Sequence, residues 1–267
     1  MNSIYKGHPI IDTHAHLCDE QFNLDFTDVI NRAEDVNIKT IIIPSTDYLS
    51  AIKSLELAEK YKILKVAIGI HPHEAKQFSE QEFEKIENLI PNKNIVAIGE
   101  IGLEYYYDFA PKDLQKNVFL EHLKLAKKYN LPTIIHTRDS IDDAIKIIEE
   151  FSLNADDKNL KGVFHCFGGN FEQATKLEKL GYMISYPGIV TFKNSPVLET
   201  VKQMDCKFML ETDSPYLAPI PLRGKRNEPA NIIHTLKKIA EVCNKTENQI
   251  ADETTLNASK LFNLKLN

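Results

Sequence analysis

No run of about eighteen or more apolar residues occurs in the sequence, so no transmembrane helix is expected. The opening stretch, MNSIYKGHPIID, holds no apolar segment long enough for a signal peptide. Cysteines are few: Cys18, Cys166, Cys206 and Cys243 stand apart, with no CxxC spacing and no dense disulfide framework, which points to a reduced, cytoplasmic protein. Positive charge is also in deficit. Thirty-two Lys and Arg against 38 Asp and Glu give a net charge of -6, which argues against a basic coat for gripping long duplex DNA but leaves a local basic patch open. No linker, low-complexity tract, internal repeat or composition shift divides the chain. The expectation is one domain over residues 1–267, with no membrane association and no obligate protein partner evident. At 43% apolar and 26% charged, 267 residues are ample for a buried core.

Short β-rich runs alternate with amphipathic stretches from end to end. The strands are expected at IIDTH (10–14), TIIIP (40–44), LKVAIG (64–69), IVAIGE (95–100), PTIIH (132–136), GVFHC (162–166), YMISY (182–186) and KFMLE (207–211). Between them FTDVINRAED, LSAIKSLELAEKY, EQEFEKIENLI, LQKNVFLEHLKLAKKY and SIDDAIKIIEEF repeat apolar residues at three and four spacings, the helical period. Eight strands in this alternation predict an α/β protein of the (β/α)8 TIM-barrel class. ENQIADETTLNASKLF reads as an additional C-terminal helix, and SLNADDKNLK (152–161) as a loop within the domain. A doubly wound open sheet is the structural alternative, because periodicity does not report closure.

Polar residues of metal-binding type stand where the apolar strands stop. IIDTHAHL (10–17) places Asp12, His14 and His16 on one alternation. Glu100 ends the fourth strand, His136 the fifth and His165 the sixth, and Asp213 follows the eighth. In a parallel barrel the carboxyl ends of the strands share one face, where the βα loops build the active site. Singly, each residue has an ordinary explanation: a satisfied polar group, an arginine partner or a turn cap. Four histidines and two carboxylates at five strand ends instead point to metal binding.

The chain resembles the TatD family of metal-dependent deoxyribonucleases within the amidohydrolase-like barrels. The likeness covers almost the whole chain and is carried by DTHAHL (12–17), GIHPH (69–73), GEIGLEYY (99–106), IHTRD (135–139), HCFGG (165–169), ETDSPYL (211–217) and RGKRNEP (223–229). It implies a two-metal hydrolase of phosphodiester bonds in DNA, expected here to be a 3′–5′ exonuclease on single-stranded DNA that uses a metal-activated water. Carried onto this sequence, it gives His14 and His16 to one metal and His136 and His165 to the other, with Glu100 between them. Asp213 becomes a ligand and proton acceptor, so the catalytic pair is Glu100 and Asp213. Glu104 departs from the family's usual aspartate, which leaves that carboxylate's role open.

The donor types are consistent with this chemistry. A shared carboxylate offsets the repulsion of two cations, and two metals about 3.5–4 Å apart stabilise both attacking and leaving oxygens of a phosphoryl group. Mixed imidazole and carboxylate donors suit zinc, manganese or iron, while magnesium stays open through the resemblance. His71, His73 and Arg138 lie at strand ends on the expected substrate face. Arg223, Lys225 and Arg226 follow the eighth strand and are expected to contact phosphates, with a solvated charge run as the alternative. Tyr105 and Tyr106 could stack bases or simply pack. Glu211 is a rival carboxylate to Asp213, and Cys166 is expected in the core. His8, His122 and His234 do not fit the strand-end pattern. The functional alternatives are an amidohydrolase or aminoacyl-tRNA deacylase acting on a C–N or ester bond, and a non-enzymatic binding or scaffold barrel.

Overall fold

Isoleucine- and valine-rich runs become strands, because β-branched side chains pack well on a pleated surface. In the computed structural model, which describes residues 5–153 and 160–265, these are β1 (Ile10–Asp12), β2 (Ile38–Pro44), β3 (Leu64–Ile68), β4 (Ile95–Glu104), β5 (Thr133–Arg138), β6 (Gly162–Phe164), β7 (Tyr182–Tyr186) and β8 (Met209–Leu210). The helices are α1 (Phe26–Asp35), α2 (Tyr48–Lys60), α3 (Glu80–Glu87), α4 (Lys112–Tyr129), α5 (Ile141–Leu153), α6 (Phe171–Lys179), α7 (Leu198–Met204), α8 (Ile232–Cys243) and α9 (Glu247–Phe262). The strands follow the order β1 to β8 in one sheet. That sequential order defines the (β/α)8 TIM-barrel class; a doubly wound sheet reverses its order at a switch point. The loop expected at 152–161 falls largely outside the described residues. Among the described residues no helix is long and apolar enough to cross a membrane.

Helix ends obey local rules. Asp47 and Ser50 form a capping box at the start of α2, as do Thr246 and Gln249 at the start of α9. Asn130, Asn244 and Asn263, all in the left-handed region, end α4, α8 and α9.

The chain groups into two compact units. The first comprises Met1–Ile43, Cys166–Ala174 and Ile184–Asn267. Its β1 and β2 pair in parallel, Ile11 facing Thr40, and β7 pairs with β8 in the same sense. α1 buries Val29, Ile30 and Ala33. α9 packs on β1 and β8. It is sewn there by Thr255 Oγ1 donating to Pro9 O at 2.9 Å, and by Asn257 Nδ2 donating to Cys206 O and Phe208 O at 2.8 and 2.9 Å.

The second unit comprises Pro44–His165 and Thr175–Met183. Strands β3 to β6 pair in parallel over fully buried Val66, Ile68, Ile98, Ile101, Ile134 and Ile135. Each such side chain contributes about 1.5–3 kcal/mol relative to exposure. β4 runs four residues beyond the strand expected from sequence, carrying Glu100 and Glu104 on one continuous element. Gly102 permits this. Its φ is +133°, and a Cβ there would lie 2.1 Å from His136 O on β5, so only glycine allows the two backbones to approach.

Candidate functional site

Among the described residues each unit gathers a cluster of histidines and carboxylates on or just beyond its strands. In the first unit His14 and His16 follow β1 and Asp213 follows β8. His14 Nε2 and His16 Nε2 lie 3.1 Å apart, and Asp213 Oδ1 stands 3.7 and 3.5 Å from them. Backbone bonds bring the two segments together. The Asp213 N–H donates to His14 O at 2.8 Å and the His16 N–H to Ser214 O at 2.7 Å. Asp213 is itself in the left-handed region, at φ 55°. Beneath them lies Asp12, fully buried. One of its oxygens accepts from the N–H groups of His14 and Thr212 (3.3 and 2.9 Å), and the other accepts from Thr212 Oγ1 at 2.6 Å. Burial pushes its carboxyl up to about 8, against the pull of those donors. Asp12 thus ties the His14 and Asp213 segments together.

In the second unit the donors come from three adjacent strands. Glu100 Oε1 lies 3.0 Å from His136 Nδ1 and 2.9 Å from His165 Nε2, and those two nitrogens are 3.1 Å apart. His71 Nε2 approaches the same oxygen at 3.4 Å. His71 Nδ1 accepts the His73 N–H at 3.1 Å, so its neutral ring carries the proton on Nε2 and presents it to Glu100. Burial holds this ring neutral, pulling its pKa down to about 4. His71 therefore orients Glu100 as a donor.

His136 is held from behind. Its Nε2 lies 3.2 Å from Glu104 Oε2, which His73 Nε2 also approaches at 3.5 Å. Burial alone would lower the His136 pKa, but hydrogen bonds to Glu100 and Glu104 outweigh it and raise the value. Burial likewise opposes the charge on Glu104, yet His136 and the Tyr106 and Tyr107 N–H groups hold its carboxyl down near 2. A carboxylate on the far nitrogen fixes a ligating histidine's tautomer and aims its other nitrogen at a cation. Glu104 stands in that place.

The chemistry of both donor sets fits a divalent metal. Buried and half-buried imidazole nitrogens and a carboxylate oxygen crowd together within 3.1 Å in one set and 3.7 Å in the other. Lone pairs so arranged repel unless a cation or shared protons lie among them. His14, His16 and Asp213 would hold an ion on the first unit, and Glu100, His136 and His165 one on the second.

The charged residues expected to grip phosphate divide. Arg138, exposed at the end of β5, stacks on the Tyr106 and Tyr107 rings, 3.9 and 5.0 Å from their centroids. Arg226 is committed within the first unit: it forks onto both Asp25 oxygens at 2.7 Å and holds that carboxyl down at about 2. Arg223 lies over Phe192 at 3.8 Å, and Lys225 is exposed. Glu211 accepts the Cys166 N–H at 2.6 Å and the Ser185 hydroxyl, so it braces backbone instead of standing beside Asp213. Cys166 is half-buried with φ 46°, at a turn and not in the core.

Sequence reading left His122 aside. Fully buried on α4, it donates from Nδ1 to Val118 O at 2.7 Å, and its Nε2 accepts the Ile70 N–H at 3.1 Å. It fixes the chain just before His71. A histidine on the buried face of a predicted helix was the available signal, but its partner lies 52 residues away.

Scaffold and donor sets together define a metal-dependent hydrolase of the TIM-barrel class. The chain belongs to the family described as TatD related DNase, whose model matches residues 11–263. YabD of Bacillus subtilis, an uncharacterized metal-dependent hydrolase, is 40% identical over 96% of this chain and 99% of its own. YcfH of Escherichia coli, described in the same words, is 33% identical over 96% of each. Among solved structures, the TatD homolog YjjV of Escherichia coli superposes with a TM-score of 0.88 at 29% identity, over 96% of this chain and 98% of that one.

Proposed function

We propose that the chain hydrolyses phosphodiester bonds of single-stranded DNA from the 3′ end, with one divalent cation held by each cluster. The observation that supports this most is the convergence of His136 Nδ1, His165 Nε2 and Glu100 Oε1 within 3.1 Å, braced by Glu104. The imidazole-rich sets favour zinc, manganese or iron over magnesium. When bound, such a cation acidifies water and offsets charge on phosphoryl oxygens.

The chain's own residues do the rest. The Asp213 carboxylate takes the proton of the attacking water as the water oxygen adds to phosphorus, and returns it to the leaving nucleoside oxygen as the bond from that oxygen to phosphorus breaks. His71 keeps Glu100 aimed through its Nε2 proton. Arg138 supplies a planar fork for a phosphate, and exposed Lys225 a further positive charge. Arg226, spent on Asp25, has a structural role.

The test is turnover of 3′- and 5′-labelled oligonucleotides, single- and double-stranded, beside amide and ester substrates including an aminoacyl-tRNA. Release of mononucleotides from the 3′ end of single strands is the expected result. Faster hydrolysis of a C–N or ester bond than of any oligonucleotide would move the assignment to the amidohydrolase class, and turnover of nothing would favour a binding barrel.

A further inference from the structure

Most exposed aromatic side chains on a globular surface stand singly. Here three stand together on the loop between β4 and α4: Tyr106 is 59% exposed, Tyr107 43% and Phe109 52%. Their rings touch in series, Tyr106 to Tyr107 at 4.8 Å and Tyr107 to Phe109 at 5.3 Å between centroids. The series continues inward, with Phe109 4.6 Å from His73 and His73 4.5 Å from His71, beside Glu100. An unbroken row of rings therefore leads from the second unit's donor set to solvent.

The loop is held in place. Glu104 Oε1 accepts the N–H groups of Tyr106 and Tyr107 at 2.7 and 3.3 Å, while its other oxygen faces His136. Buried Gln115 on α4 donates to both Glu104 O and Ala110 O at 2.9 Å, clamping the two ends of the loop. The carboxylate that braces a metal-type histidine thus also fixes the aromatic ledge. Tyr105 is a different case. Its hydroxyl donates to Asp143 at 2.8 Å and Lys112 covers its ring at 4.3 Å, so it belongs to the packing.

We propose that Tyr106, Tyr107 and Phe109, with Arg138 laid against them, form the subsite that stacks unpaired nucleobases next to the bond being cut. This rests on the phosphodiesterase reading above and adds what the site recognises. Stacking on the tyrosines occupies the flat face of Arg138 and leaves its in-plane N–H donors for the adjoining phosphate. Stacking is sequence-tolerant and needs no net positive charge. That suits a chain of net charge -6, in which a broad electrostatic grip is absent and Arg226 is already paired. Bases locked in a duplex cannot lie on the ledge, so it selects single strands.

The sequence contains no tryptophan, so Tyr106→Trp installs a sole indole on the ledge. Metal-stripped protein carrying it is titrated with a thymidine oligonucleotide and with an abasic oligonucleotide of equal length. Indole quenching by the first and not by the second is expected. In the metal-loaded enzyme, Tyr106→Ala combined with Phe109→Ala should lower the ratio of kcat/KM for base-containing over abasic strands by roughly 5- to 100-fold, chiefly through KM. Equal quenching by both strands, or an unchanged ratio, would overturn the subsite. Wild-type protein that cleaves neither strand, alongside base-dependent quenching in the Tyr106→Trp protein, would instead overturn the phosphodiesterase reading and leave the stacking site standing.

Discussion

The two clusters use similar donors but are supported differently. On the first unit, backbone geometry does the positioning: Asp213 sits at φ 55°, and buried Asp12 gathers the N–H groups of His14 and Thr212. On the second, side chains position side chains: His71 presents its proton to Glu100, and Glu104 backs His136. A site pinned through backbone tolerates little change in loop conformation. One pinned through side chains is tuned by single substitutions. The difference predicts what kind of damage each cluster suffers when one group is altered.

The sharpest way to break the comparison is Asp213→Asn. An amide of nearly the same shape keeps one weak ligand oxygen but accepts no proton. Turnover of a labelled oligonucleotide should fall roughly 10²- to 10⁴-fold while elemental analysis finds most of the metal retained. Near wild-type cleavage at full occupancy would remove the proton-acceptor role, and rescue by excess metal would leave Asp213 as a ligand alone.

A smaller effect is expected on the second cluster from Glu104→Gln. The amide weakens the hold on His136 Nε2 without touching a ligand, and metal affinity there should drop roughly 10- to 100-fold. Competitive chelator titration measures it. Equal affinity in variant and wild type would show that Glu104 serves only the loop.

The smallest effect concerns pH. His122 is fully buried, and desolvation lowers its pKa from the ordinary histidine value of about 6.5 to about 4. The unfolded chain therefore binds the proton first as pH falls, and stability is lost below pH 6.5 until the folded pKa is reached. Between pH 6.5 and 5 the loss should come to about 1.6 kcal/mol, as the slope climbs from about half of 1.36 kcal/mol per unit toward its full value. Urea unfolding of wild type and His122→Gln over this range should show stabilities converging toward acid, with the wild type falling faster. Parallel curves would mean that His122 is not held neutral by burial.

Much of this was legible in the sequence. All eight strands fall where the apolar runs place them, and α1 and α9 match their amphipathic segments to the residue. α6 and α7 lie outside the amphipathic segments; they have 9 and 7 residues, too short for a firm period. His14, His16, Glu100, His136, His165 and Asp213 are expected together because strand ends concentrate chemistry, and the fold gathers the first two with Asp213 and His136 and His165 around Glu100, which lies inside a longer β4. The roles of Asp12, Glu104 and Glu211 are not legible in this way, since they depend on which backbone N–H groups a carboxylate meets after folding. The basic loop teaches the same lesson. Arg226 reads as available charge, yet its partner Asp25 lies 201 residues away in the chain.

The most direct test of the account is a metal titration of stripped protein, followed by elemental analysis and single-strand cleavage on the same samples. The account predicts no turnover when stripped. It should return as roughly two equivalents of manganese or zinc bind, one lost when His14 and His16 are both replaced by Ala and the other when His136 and His165 are. Full turnover of single-stranded DNA by metal-free protein, or a stoichiometry indifferent to both pairs of substitutions, would contradict it.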